Sequence, residues 1–221
     1  MNSRTGRRAA VGAMAALCAL LSACDVASGG GGGSTDGLLK PTAQPGATAR
    51  AGGLGSAALV SRDTNGFTVS TPDDARKVQV TQDACAPLAY ALSGTAVGKP
   101  ATTVVRKATG EGAEVTVVLA EYASDEAQQA MDAIATALDE CAAGFTATVD
   151  GDEHKVGKVA PELAPEGVDQ AMGVGATVTR SGRATPAKAV ILRSGNTVAY
   201  LSGTPSIPTT VLDAQLVKLR G

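Results

Sequence analysis

The sequence predicts an α+β fold: an antiparallel, curved β-sheet of about six to eight strands, with about three helices packed on one face and one disulfide between helices. Three observations predict it. Strand-like runs follow one another across short turn signals, at "TGEG", at Asp150-Gly151 and at Gly195-Asn196, and short turns join antiparallel neighbours. Between them lies one strongly amphipathic segment from Asp125 to Ala142. The chain closes on a second, from Pro208 to Leu219.

The chain starts with Arg4, Arg7 and Arg8, then an apolar, alanine-rich run from Ala9 to Ala23. This order is that of a secretory signal peptide, and the run is shorter than the roughly 20 residues of a membrane-spanning helix. Leu21-Ser22-Ala23-Cys24 resembles the lipobox of bacterial lipoproteins. The resemblance implies cleavage of residues 1–23 and lipidation of the Cys24 thiol, with a cell-membrane address on the extracytoplasmic face. Two acyl chains give stable anchoring where one gives only marginal binding. An uncleaved amino-terminal anchor is the alternative. Arg7-Arg8 leaves twin-arginine export open beside the general route.

Residues 24–58 follow as the lipidated cysteine and a tether. They are rich in Gly, Ser, Thr, Ala and Pro, with Gly29 to Gly33 consecutive. Such a composition buries too little apolar surface to fold, and as a coil it would span about 30 Å. Residues 59–221 are then one extracytoplasmic domain.

Its elements are expected in this order. Strands run from Gly66 to Ser70 and from Ala75 to Thr81. A helix follows from Ala84 to Leu92, with Asp83 as N-cap and Pro87 in the tolerant first turn. "TTVVRKA" from Thr102 and "AEVTVVLAEY" to Tyr122 form a hairpin. The Asp125–Ala142 helix takes Ser124 as N-cap, and Ala127, Ala130, Met131, Ile134, Ala137, Leu138 and Cys141 make its apolar stripe. "FTATVD" and "HKVGKVAPE" pair about Asp150-Gly151, and a long strand covers Gln170 to Arg180. "AKAVILRS" and "TVAYLSG" then lead into the last helix, apolar at Val211, Leu212, Leu216 and Leu219.

Of the four cysteines, Cys18 leaves with the signal and Cys24 is taken by lipid. Cys85 and Cys141 remain, 56 positions apart, each on the inner face of a helix. In an oxidising exterior such a pair closes. A loop of this length stabilises by roughly 4 kcal/mol. The pair lacks C-x-x-C spacing, so a structural staple is favoured over a redox couple.

Removing Arg4, Arg7 and Arg8 from the 19 basic residues leaves 16 against 21 acidic ones, a net charge of −5. With that balance, three Tyr, two Phe and no Trp, nucleic-acid binding is disfavoured. No G-x-S-x-G, S-x-x-K or H-E-x-x-H occurs, so no catalytic residue, cofactor or metal ligand is assigned. The single histidine, His154, lies among Asp150, Asp152 and Glu153 and reads as part of a solvated hairpin turn. A triad with a serine brought close by folding stays open. Asp73-Asp74 reads as a turn, and Gly173-Val174-Gly175 as a bulge rather than a phosphate loop.

"DACAPLAYALSG", "VTVVLAEYASDEAQQAMDAIATALDECAAGF" and "AVILRSGNTVAYLSG", taken together, resemble the PknH-type extracellular sensor domain of actinobacterial kinases and lipoproteins over roughly residues 60–221. The resemblance implies an antiparallel sheet with helices on one side and a cleft for a small ligand. The chain departs from that pattern in having one disulfide rather than two, and Glu140 where a tryptophan often precedes the helix-ending cysteine. No binding residue is carried over.

The functional expectation is a membrane-anchored lipoprotein acting as a non-enzymatic ligand-binding or sensing module, partnered by the membrane and by a small ligand or envelope component. The alternatives are a lipid or acyl-chain carrier of the cell envelope, for which a large connected apolar cavity would speak, and a hydrolase built around His154.

Overall fold

The structure, a computed structural model, describes residues 53–221. The expected signal peptide, Cys24 and the expected tether up to residue 52 lie outside the described residues. Ten strands form one sheet: β1 (Thr68–Ser70), β2 (Val78–Val80), β3 (Thr102–Gly110), β4 (Ala113–Glu121), β5 (Phe145–Val149), β6 (Asp152–Val156), β7 (Ala160–Glu162), β8 (Gln170–Arg180), β9 (Arg183–Ser194) and β10 (Thr197–Thr204). The order is β1-β3-β4-β10-β9-β8-β6-β5-β2, with β7 also on β8. Every pairing is antiparallel. The helices are α1 (Gly53–Ser56), α2 (Ala86–Ser93), α3 (Glu126–Glu140) and α4 (Thr209–Arg220), with 3-10 turns at Ser61–Asp63 and Asp83–Cys85.

The α+β class and the antiparallel sheet match expectation, but the strand count exceeds six to eight. One extra strand comes from division of "HKVGKVAPE" into β6 and β7. Val156 faces Val178, whereas Ala160 faces Gly175, so the chain advances four residues while β8 advances three. That extra residue kinks the run between β6 and β7. The expected bulge at Gly173-Val174-Gly175 is absent, since β8 is in register with β9 throughout. Those glycines instead admit β7 at close range: a Cβ on Gly173 would stand 2.7 Å from the Glu162 carbonyl oxygen.

The helices do not share one face. α2 and α3 cover a cluster that includes Val118, Ala120, Tyr122, Ile191, Val198 and Tyr200. α1 and α4 cover the reverse side, with Val117, Leu119, Leu192, Ala199 and Leu201. Adjacent residues of β4, β9 and β10 therefore point into two cores, which is why these strands read as nearly continuous apolar runs. Residues 53–58, assigned to the tether by composition, belong to this second core: Leu54, Ala57 and Ala58 are buried along with Leu59. Gln215 of α4 donates from Nε2 to the Ala57 carbonyl at 3.0 Å, and Lys218 lies 3.1 Å from Asp63.

Two helix starts differ from expectation. Asp83 opens a 3-10 turn rather than capping α2, and Ser124 precedes the N-cap of α3, which is Asp125. Cys85 and Cys141 form a disulfide with a Cα–Cα separation of 5.8 Å. It does not join two helical faces. Cys141 lies in the turn after α3, and Cys85 ends the 3-10 turn before α2, so the bridge ties one helix end to the other's entry. In the first core Tyr122 donates to the Val97 carbonyl at 2.6 Å, which leaves Tyr200 to donate to the Tyr122 oxygen, also at 2.6 Å. Burial pushes both phenols above their ordinary range.

Candidate functional site

Strand register determines what gathers at one end of the α2 face. In the β5–β6 hairpin Ala147 stands opposite His154 and Phe145 opposite Val156. β8 continues both rows, with Arg180 across from His154 and Val178 across from Val156. β9 adds Thr185 opposite Val178 and Ala187 opposite Ala176. Cross-strand partners project from the same face. On the other side of β9, Thr204 of β10 stands opposite Glu114 of β4, and Thr109 of β3 opposite Glu114. These rows, together with Ala89, Leu92 and Ser93 of α2 and with Arg76 from the β1–β2 connection, line a cleft of about 600 Å³. That volume is typical of a small-molecule site.

The floor of the cleft is apolar and its rim is charged. Leu92, Phe145 and Val156 are buried, and Val178 partly so. On one wall Glu114 is held by Lys107 at 2.8 Å and approached by Arg76 at 3.8 Å, while Arg76 also donates to the Ser93 carbonyl at 3.1 Å. On the other wall Arg180 pairs with Asp152, and His154 stands half-buried beside it. Burial first, then the guanidinium of Arg180, hold the His154 imidazole below its ordinary pKa. Arg76 adds to this, and Asp152 and Asp150 act against it.

The solvated-turn reading of His154 is thus corrected. The hairpin turns at Asp150-Gly151 as expected, both at positive φ, but His154 lies four residues beyond Asp150 and faces the cleft. Ser202 lines the same cleft, and its hydroxyl donates to the Leu92 carbonyl. Asp73 and Asp74 are exposed and do not line the cleft. Cys85 and Cys141 are buried away from it, in the α2–α3 core. Among the described residues no group of three His, Cys, Asp or Glu side chains is arranged to hold a metal ion. No helix among them is long and apolar enough to cross a membrane.

Arg76, Glu114 and Arg180 were not identified from sequence. Alternation of Asp152, His154 and Val156 carries the signal for His154, since the apolar member fixes the inward face.

No protein-family model matches the chain, and no curated protein matches it. Among solved structures, the extracellular domain of PknH from Mycobacterium tuberculosis superposes with a TM-score of 0.51 at 15% identity, covering 75% of this chain and 91% of that one. An uncharacterised protein from Mycobacterium smegmatis superposes with a TM-score of 0.39 at 15% identity, covering 71% and 90%. The first likeness is one of fold, and the second is too loose to argue from.

Proposed function

We propose that this chain is an extracytoplasmic ligand-binding or sensing module, carried on the cell membrane by lipid on Cys24 and acting without catalysis. The observation that carries the reading is the cleft: about 600 Å³, apolar below and charged above, in a fold that resembles an extracellular domain. Concave sites with an apolar lining and a few convergent polar groups are where small ligands bind. The carrier reading calls for a large connected apolar cavity, whereas Arg76, Glu114, His154 and Arg180 all line this one. The hydrolase reading calls for a serine or a second acid beside His154 in the cleft, and of the cleft serines the Ser202 hydroxyl is committed to a backbone carbonyl.

Native mass spectrometry of the gently purified full chain tests the proposal. The expected result is a retained small molecule of defined mass, lost in an Ala187→Trp variant that fills the cleft. Retention by that variant would move the site elsewhere and overturn the reading.

A further inference from the structure

The side chains of the cleft restrict what it can hold. Its floor offers Leu92, Phe145, Val156 and Val178, which favour an apolar ligand body. The β6–β8 end of the rim is rich in hydrogen-bond donors. Arg180 stands directly across from His154 in register. Arg76 lines the same cleft, on the Glu114 wall. Asp152 occupies part of the Arg180 guanidinium, which carries five donors and so keeps others free. No hydrogen bond joins the His154 ring to another side chain among the described residues. The acids on the opposite wall are differently placed. Glu114 is answered by Lys107 and Arg76, and Glu111 sits in the β3–β4 turn, separated from β8 by β10 and β9.

We propose that the cleft takes an amphipathic anion, a molecule whose apolar body lies over Phe145, Val156 and Val178 and whose single carboxylate or phosphate group meets His154 and Arg180. This rests on the cleft being the binding site. A cation would meet the Arg180 guanidinium, and a purely apolar molecule would leave the donors of Arg180 and His154 unused. A charged head accepts from both, and charge-assisted hydrogen bonds are stronger than neutral ones.

The test is calorimetric titration of the purified full chain with octanoate, octyl phosphate and octanol, three probes sharing one tail. One or both anions should bind about ten-fold more tightly than the alcohol, as expected for a hydrogen-bonded charge. Arg180→Gln should remove most of that difference without weakening octanol, while Arg62→Gln, an exposed arginine that does not line the cleft, should change nothing. The stronger anion identifies the head group. Equal binding of all three probes, an unchanged anion affinity in Arg180→Gln, or no binding of any probe overturns the ligand class. Undiminished binding of the probes to Ala187→Trp overturns instead the cleft as the site.

Discussion

His154 sits where burial, two guanidiniums and two carboxylates compete for its proton. With the first two prevailing, its titration by NMR should centre below the ordinary value of about 6.5, and Arg180→Gln should move the midpoint up. The unfolded chain then binds this proton more readily than the folded one. His154 therefore contributes stability that is complete above about pH 6.5 and is lost as the pH falls from there through the folded-state value. In His154→Gln the melting temperature should fall less over that interval, and an unchanged pH profile would contradict the assignment. Charge counting hid this residue, because three acids within four positions suggest solvent. Period two, run back from Val156, points it inward. Its partnership with Arg180 was not legible at all, because cross-strand neighbours 26 positions apart are set by register, and register depends on the whole sheet.

At the scale of elements, the segment from Gly53 to Ala58 shows how composition misleads. Its glycines, serine and alanines continue the composition of the preceding stretch, yet Leu54, Ala57 and Ala58 are buried. Leu54→Ala should cost about 2–5 kcal/mol in denaturant unfolding, and a cost near zero would return this segment to the tether. The long helices were easier. The stripe of α3 is legible because it recurs over four turns, and five of its seven members prove to be buried helix residues. α4 hides Gln215 on the same stripe as Val211 and Leu219, four residues from each; its polar side chain, not its position, concealed its burial. Its amide serves the Ala57 carbonyl. The two-faced burial of β4, β9 and β10 was written in "VTVVLAE", "AVIL" and "VAYL", runs that alternate too little for a sheet with one wet face.

Across the whole molecule, the succession of hairpins was legible, since β3–β4, β5–β6 and β9–β10 each join sequence neighbours over a short turn. The insertion of β10 between β4 and β9, and the seating of β2 on β5, were not. Such contacts form across long separations and are chosen by which apolar faces meet. The proposed anchorage is also a property of the whole chain. Cys24→Ala should move the protein from the membrane to the soluble fraction and leave its melting temperature unchanged. Recovery of wild-type chain with residues 1–23 attached and the Cys24 sulfur free would overturn the proposal. The entry of the chain at Gly53 has one more consequence. It reaches the body on the α1–α4 side, pinned there by Gln215, Lys218 and Asp63, whereas the cleft opens on the α2 side. A mechanical pull on the amino-terminal end would load that rear seam before it reached the α2 face.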